Sequence, residues 1–476
     1  MPNSILIKWG NRPLRSRVKH SISKSEKTPR NIFCLGCAAK VPLRSLLYPA
    51  LKRVKRKLCD TNIKIELGND AYIFESNRKI GLKRRLYPLF SFKGRGRQKV
   101  REAIRKFKPA SAIILASYIN PASRNEIIDS LYGFYKAVSG GRTPFSIGKG
   151  HSLEISKIPG QKFILADYLI SRKGNYYGAA SNDAIVTVDF NLKHSSWLNI
   201  YISLNNALND LYALGVYRDI MLYPVYDSIY ENDNRLIKKS LASYLSKFKK
   251  YNYSLVDSGP LGLGLEIIGS TVVGFFEKEP PRISNLLPGQ LLIVTRPIGD
   301  LAALVLYIIR QVNTELSADI RRVKLDVLGK MATPNIEAAK IISDYLPLKG
   351  SNFDRKRHIT ATKDISGEGI SAFEDMAFRS KTNIHLDEIQ LHTDESSGLN
   401  LPNNTSCTNG AIIIAADEKP ARGIINRLEG AGYRPWIAGR AGLKSEKPVI
   451  FLKKSLKKHP FLKYRSRQLF SRYKFV

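Results

Sequence analysis

Between residues 180 and 443, strand-like and helix-like patterns alternate along the chain, and this alternation restricts the fold more than any other feature. Apolar and β-branched runs such as NDAIVTVDF, LEIIGSTVVGFF and GAIIIAA predict strands. NRLIKKSLASYLSKFKKYN and TPNIEAAKIISDYL place apolar residues at helical spacing and predict amphipathic helices. Strands that alternate with helices are typical of sheets covered by helices. The sequence therefore predicts an α/β fold of the α+β type.

The length of the chain predicts more than one domain. It has 476 residues, of which 43% are hydrophobic, so two or three cores can form. The Pro280-Pro281 pair marks a boundary between two α/β regions. We expect a basic arm (1–30), a first domain (31–74 and 179–280), an inserted basic α/β lobe (75–178), a second domain (281–443) and a basic tail (444–476).

Positive charge is concentrated in three segments. The formal net charge is +37, and residues 1–30, 76–108 and 444–476 together supply +29 of it. Basic segments of this kind usually contact a polyanion, most often nucleic acid. In the second segment Tyr87, Phe90 and Phe92 lie among the basic residues, a composition that suits single-stranded or looped RNA. The alternative is an insertion that covers one face of a domain.

Composition also restricts the cellular setting. The chain has only four cysteines, which favours a reducing compartment over a disulfide-stabilised one. No apolar run reaches the roughly 18 residues of a membrane span, and the N-terminus lacks the apolar stretch of a signal peptide. We therefore expect a cytoplasmic protein without a membrane partner.

The segment FCLGCAAKVP, from Phe33 to Pro42, places two cysteines and a lysine within seven residues. A Cys-x-x-Cys pair can contribute to a zinc site, but Cys59 and Cys407 are isolated and do not complete a ligand set. A redox pair is the second interpretation. The third is a catalytic loop, in which the Cys37 thiol and the Lys40 ammonium act together on an anionic substrate.

The string GCAAKVP resembles the catalytic loop of selenophosphate synthetases, in which a cysteine or selenocysteine precedes an essential lysine at this spacing. Further segments resemble the same family in the same order along the chain. These are GNDAYIF with Asp70, VTVDF with Asp189, NNALNDLYALGV with Asn206 and Asp210, LLPGQLLIVTRPIGD, TATKDISGEGI with Asp364, NGAIIIAA and RPWIAGRA.

The resemblance implies a two-domain architecture like that of aminoimidazole ribonucleotide synthetase, a homodimer, and ATP with Mg²⁺ in the cleft between the domains. The implied reaction is ATP-dependent phosphoryl transfer to a chalcogen, selenide or sulfide. The expected roles are catalysis for Cys37 and Lys40, nucleotide binding for Asp70, Asp189, Asn206 and Lys363, and metal binding for Asp70, Asp210 and Asp364.

Several segments depart from the pattern of the family. Ser258–Pro260 replaces a Gly-Gly-His or Gly-Gly-Gln segment, and Cys407–Gly410 replaces Thr-Ser-Gly-Gly. Lys363 stands in place of a threonine, and Glu368 in place of an aromatic residue. Two alternatives follow: an inactive paralogue that binds RNA, or a related ATP-dependent enzyme with a different nucleophile.

Overall fold

The structure is a computed structural model of the whole chain, and its long described ranges lie between residues 176 and 458. It describes residues 176–185, 187–189, 191–228, 230–257, 259–261, 266–313, 318–393 and 403–458. Shorter pieces are described at 52–54, 56–57, 59, 63–67, 72–76, 102, 106–107, 123–139, 146–147, 153–157 and 473–475. Cys37, Lys40 and Asp70 lie outside the described residues.

Most of the described strands fall on the β-branched and apolar runs of the sequence. In chain order they are β1 (Ile63–Leu67), β2 (Tyr72–Ser76), β3 (Ser146–Ile147), β4 (Leu153–Lys157), β5 (Tyr176–Ile185), β6 (Ile220–Asp227), β7 (Ser254–Leu255), β8 (Ile267–Phe276), β9 (Leu291–Val294), β10 (Ala361–Asp364), β11 (Thr382–Leu386), β12 (Ile412–Ala416), β13 (Trp436–Lys444), β14 (Ile450–Leu452) and β15 (Tyr473–Phe475).

The described α-helices include the two that NRLIKKSLASYLSKFKKYN and TPNIEAAKIISDYL predict. In chain order the helices are α1 (Ser123–Ser139), α2 (Trp197–Ala213), α3 (Glu231–Ser246), α4 (Asp300–Asn313), α5 (Ala318–Ala332), α6 (Ile336–Asp344), α7 (Ser371–Ser380) and α8 (Glu418–Gly430). The two predicted helices are α3 and α6, whereas the helical patterns above do not identify α5.

The first unit is built on a five-stranded sheet in the order β2-β5-β8-β6-β7. β5 and β8 pair antiparallel over nine residues, and β2 adds to the other edge of β5. Helix α2 packs on β5 and β8. It ends at Leu214, and Gly215 follows with φ +76°, a left-handed conformation that a glycine adopts without strain.

The second unit is built on a seven-stranded sheet in the order β10-β12-β9-β13-β11-β14-β15. β12 is buried on both faces: Ile412 and Ile414 belong to one apolar core, and Ile413 and Ala415 to the other. A strand that is buried on both faces needs a continuous apolar run, which GAIIIAA supplies.

The second unit extends past residue 443, where the sequence predicts a tail with little core. β13 continues to Lys444, and β14 pairs parallel with β11. The side chains of Ile450, Leu452 and Leu456 are buried in the core beneath α7. These three apolar residues lie among lysines, so the basic composition of the segment conceals its contribution to the sheet.

Strands β1 and β2 are present as predicted but belong to different sheets. β1 pairs with β4 in a three-stranded sheet of order β1-β4-β3, whereas β2 pairs with β5. β3, β4 and α1 fall in the predicted 75–178 insertion, which therefore contains both helix and strand. The α/β architecture of the α+β type with two units is confirmed.

The two units pack together through α2. Every residue of this helix from Leu198 to Ala213 is buried. One side contacts β5 and β8, and the other contacts α5, α6 and β10 of the second unit. A helix that is covered on all sides is typical of a core, so α2 forms the centre of the interface. None of the described helices has the length and apolar character to cross a bilayer.

Candidate functional site

The candidate site lies along α2, where polar side chains are buried between the two units. Six polar residues of this helix are buried: Asn199, Ser203, Asn205, Asn206, Asn209 and Asp210. A buried polar group is costly unless it forms hydrogen bonds, so each one points to a specific partner.

Towards the first unit, polar side chains of α2 bond to β5 and to the loop after it. The hydroxyl of Ser181 donates to the Asp210 carboxylate, and the Asn206 amide donates to Asp183. At the start of the helix, Asn199 accepts a hydrogen bond of 3.1 Å from the backbone N–H of Val188. The helix therefore runs antiparallel to β5, and side-chain hydrogen bonds along its length join it to β5 and the loop after it.

Towards the second unit, three asparagines of α2 make the contacts. Asn205 donates to the carbonyl of Ala332 at 2.7 Å, and the side-chain oxygen of Asn206 accepts from the Asn409 N–H at 3.0 Å. Asn209 accepts from the Asn335 amide at 2.7 Å. The Asn206 side chain thus bridges the two units, with its amide on β5 and its oxygen on the loop before β12.

The loop before β12 lies directly against the end of β10. The Ile365 N–H donates to the Ala411 carbonyl at 2.7 Å. A Cβ on Gly410 would lie 1.7 Å from the Ile365 carbonyl oxygen, so only glycine fits there. Asn335 and Asn209 both donate to the Gly410 carbonyl, at 2.8 Å and 3.4 Å. This close approach brings the end of β10 to the level of Asn209 on α2.

Asp210 and Asp364 lie on two elements that contact each other, α2 and β10. Thr362 donates to the carbonyl of Ala213 at the end of the helix. Because side chains alternate along a strand, Asp364 starts from the same face of β10 as Thr362, and its carboxylate lies 3.7 Å from the Lys363 ammonium. Both carboxylates are buried, Asp210 in the first unit and Asp364 in the second.

Asp189 lies at the other end of α2. Its carboxylate accepts from the backbone N–H of Asn191 and forms an ion pair of 2.5 Å with Lys324 of α5. The loop of Asp189 contacts Asn199, which precedes Asp210 by eleven residues on α2. At 1.5 Å per residue this corresponds to about 16 Å along the helix axis. Asp189 and Asp210 therefore cannot bind the same metal ion.

The sequence assigns Lys363 to the nucleotide, but its side chain is fully buried on the face of β10 that is turned away from α2. Its ammonium lies 3.0 Å from Glu368, 3.7 Å from Asp364 and 3.9 Å from Asp375. A lysine inside a core needs counter-charges, and these carboxylates supply them. Lys363 and Glu368, which both depart from the family pattern, are therefore partners in one buried ion pair.

A second polar group surrounds the N-terminus of α4. The backbone N–H of Thr408 donates to Asp300 at 3.1 Å, and Arg296 lies 3.7 Å from the same carboxylate. Burial raises the pKa of Asp300, partly offset by Arg296. Burial also raises the pKa of the Cys407 thiol well above its usual value, which disfavours the thiolate form.

Sequence reasoning missed Lys324, although the sequence contains a signal for it. In α5 the buried positions Val327, Leu328 and Met331 follow helical spacing, and Lys324 continues the same stripe. A lysine at a core position of an amphipathic helix requires an acidic partner, and here that partner is Asp189. Neither Ser181 nor Asp183 has such a local signal, because both lie in an ordinary strand.

The chain was also compared with known proteins. No protein-family model matches it, and no curated protein matches it. Thiamine-monophosphate kinase from Stenotrophomonas maltophilia is similar at 14% identity and a TM-score of 0.44, over 67% of this chain and 95% of that chain.

Two other solved structures are similar to the same degree. Hydrogenase maturation protein HypE in complex with ATP has 15% identity and a TM-score of 0.42, over 60% of this chain and 85% of that one. Thiamine-monophosphate kinase from Aquifex aeolicus has 14% identity and a TM-score of 0.40, over 59% and 89%. At TM-scores below 0.5, these likenesses assign neither a family nor an activity to this chain.

Proposed function

We propose that the chain is an ATP-dependent phosphotransferase that binds its nucleotide between the two units and transfers phosphate to a chalcogen, selenide or sulfide. The observation that supports the proposal is the contact between α2, which holds Asp210, and β10, which ends at Asp364. These carboxylates belong to different units and both are buried. The buried amides of Asn206 and Asn209 lie beside them, and such a polar interface suits a ligand with many phosphate oxygens.

The residues at this end of α2 fit Mg²⁺. This ion takes oxygen ligands and is usually held by one or two carboxylates together with phosphate oxygens of the substrate. Asp210 and Asp364 would supply the carboxylates, and Asp70 is proposed as a third. Within the described ranges, no group of three or more His, Cys, Asp or Glu side chains forms a metal site. The ion, when bound, would neutralise negative charge on the phosphates.

The chemistry at the acceptor is assigned to Cys37 and Lys40. The Lys40 ammonium would neutralise charge on the phosphoryl group in transfer, and the Cys37 thiolate would hold the chalcogen. The overall reaction is selenide, ATP and water giving selenophosphate, AMP and phosphate. Asp189 and Lys324 have a structural role in this proposal, because their ion pair joins the loop before α2 to the second unit.

A second function, RNA binding without catalysis, is favoured by a specific observation. Asp189 and Lys363, both expected to bind the nucleotide, are paired with charged groups of the protein itself. In an inactive paralogue such internal pairs would replace the ligand. Asp364 also lies 3.7 Å from Lys363, and Asp210 accepts from Ser181, so the proposed enzyme requires these carboxylates to exchange partners when substrates bind.

The test is production of AMP by the purified protein with ATP, Mg²⁺ and selenide. We expect selenide-dependent AMP release, together with a phosphorus–selenium species in the ³¹P spectrum. Asp210→Asn and Asp364→Asn should each lower the rate by about 100-fold or more, the typical loss when one charged stabiliser of phosphoryl transfer is removed. Glu429→Gln, an exposed carboxylate on α8, is the matched control and should leave the rate unchanged.

The outcomes separate the alternatives. If AMP release does not depend on selenide but does depend on Asp210 and Asp364, the proposal of phosphoryl transfer is supported. The proposal of a chalcogen acceptor is then refuted. If the wild-type protein neither turns over ATP nor binds it in a direct titration, the enzyme proposal is refuted and the second function remains.

A further inference from the structure

Residues 235–256 form another basic region, which lies outside the three segments that hold most of the net charge. This stretch contains six lysines and arginines and no aspartate or glutamate. Outside the three basic segments the chain has a net charge of only +8, and these 22 residues hold +6 of it. The stretch also contains four aromatic residues: Tyr244, Phe248, Tyr251 and Tyr253.

The structure places most of this charge on one exposed surface of the first unit. α3 buries only Ile237, Leu241 and Tyr244 against the core. The short helix Lys249–Tyr251 follows it and presents more basic side chains. The exposed basic residues of the stretch are Arg235, Lys238, Lys239, Lys247, Lys249 and Lys250.

Aromatic rings form a continuous row beneath these charges. Trp197 contacts Tyr201 edge to face at 5.2 Å between ring centroids, and Tyr201 contacts Tyr244 in the same way at 4.9 Å. The row continues through Phe248 to Tyr251, at 4.7 Å and 6.5 Å. We call these five rings the aromatic row. Trp197 begins it and has 53% of its surface exposed.

Two lysines lie over rings of the row, of which Trp197 is the exposed one and Tyr201 is buried. The Lys247 ammonium is 4.6 Å from the Tyr201 ring and 5.9 Å from the Trp197 ring, and that of Lys250 is 4.9 Å from Tyr251. Within the described part of the chain, Lys247, Lys249 and Lys250 form no ion pair with a carboxylate. Their charge is balanced only by solvent and by the ring faces.

Three acidic groups that contact residues of this stretch also have other partners. Glu337 pairs with Lys340 at 2.7 Å, and Asp219 accepts from the Asn252 amide. Asp257 faces Lys238 at 3.9 Å and accepts from the Tyr226 hydroxyl. The surface therefore keeps an excess of positive charge around an exposed indole.

We propose that this surface, formed by the aromatic row with Lys247, Lys249 and Lys250, binds single-stranded nucleic acid. Unpaired bases stack on exposed aromatic rings, and the phosphates between them require cations at neighbouring positions. An acidic protein segment would use the lysines but not the indole face. Duplexes have no free base faces to offer Trp197. The proposal does not rest on ATP turnover, because the surface lies on the exposed side of α3.

The test uses the full-length protein with a fluorescein-labelled 12-nucleotide single strand, as RNA and as DNA, in a salt series. Trp197→Ala should weaken binding roughly 5- to 150-fold, the range for loss of one base stacked on an aromatic ring. Phe353→Ala, another exposed aromatic residue, is the matched control and should have no effect.

The charge variant Lys247→Gln/Lys249→Gln/Lys250→Gln should reduce the slope of log K against log salt by about 2, since each phosphate contact to a single strand contributes about 0.7. Its control, Lys356→Gln/Lys381→Gln/Lys419→Gln, removes the same charge from exposed sites of the second unit outside the three basic segments. If the variants weaken binding of RNA and of DNA alike, the surface binds single strands of both kinds. If they weaken binding of only one, the surface binds that nucleic acid.

Photo-crosslinking of a 4-thiouridine strand to the wild-type protein gives a result that does not depend on any variant folding. We expect crosslinked peptides that contain Trp197 or residues 244–251. Crosslinks confined to residues 1–108 and 444–476 would overturn the proposal. Equal displacement by polyglutamate and polyuridine, or equal affinity for duplex RNA, would overturn it as well, because either result would show binding by charge alone.

Discussion

Helices α2 and α3 follow one another in the chain and have 17 and 16 residues, but they are opposites in burial. α2 is buried from Leu198 to Ala213 and carries one charged residue, Asp210. α3 buries three residues, and this helix with the turn after it exposes six basic side chains. The polar groups of α2 therefore lie at a buried interface between the units, whereas the basic groups of α3 and the following turn face solvent.

The largest expected effect comes from the ion pair that joins the loop before α2 to α5. Lys324→Met leaves the buried Asp189 carboxylate without its cation and should lower the free energy of unfolding by about 3–5 kcal/mol. Urea denaturation followed by circular dichroism measures it.

The double variant Lys324→Met/Asp189→Leu removes both charges and should be less destabilised than Lys324→Met alone. If the two variants lose the same stability, the ion pair does not stabilise the contact between the units. The contrast between a buried α2 and an exposed α3 would then not extend to the loop before α2.

An intermediate effect is expected from the asparagines of α2. Asn209→Ala removes the partner of the buried Asn335 amide and a donor to the Gly410 carbonyl. Leaving buried polar groups unpaired costs about 1–3 kcal/mol. The same urea titration provides the measurement.

Asn232→Ala on α3 is the control for this substitution, since Asn232 is exposed and its change should stay within about 0.5 kcal/mol. Equal losses at the two positions would contradict the view that the buried asparagines of α2 stabilise the contact between the units.

The smallest effect is expected on α3 itself. Lys247→Gln/Lys249→Gln/Lys250→Gln removes three exposed cations that have no carboxylate partner in the described part of the chain. Each exposed substitution should change the free energy of unfolding by no more than about 0.5 kcal/mol. A urea midpoint close to that of the wild-type protein is therefore expected, while nucleic-acid binding falls. A large loss of stability would show that these lysines are structural.

Much of the fold follows from local pattern. The helical spacing of TPNIEAAKIISDYL and the β-branched run of LEIIGSTVVGFF predict α6 and β8, because periodicity is a property of neighbouring residues. The segment after Lys444 is different. Its three buried apolar side chains are spread among lysines, so composition suggests a tail where the sheet in fact continues through β14.

The candidate site was predictable only in part. Asp210 and Asp364 follow from the resemblance, and their joint role stays a prediction: the structure shows both buried, on elements that contact each other. The same resemblance groups Asp189 with them, but α2 separates Asp189 and Asp210 by about 16 Å along its axis. Lys363 and Glu368 look like independent departures in the sequence, yet they pair inside the core because each charge requires the other.

By itself, the sequence determined the α/β alternation between residues 180 and 443 and the uneven distribution of positive charge. Only the tertiary structure decided that Lys324 meets Asp189, that Lys363 is turned away from α2, and that Trp197 and Lys247 share a surface. The physical reason is range. Backbone periodicity depends on residues a few positions apart, whereas these pairs depend on how buried elements from distant parts of the chain pack against each other.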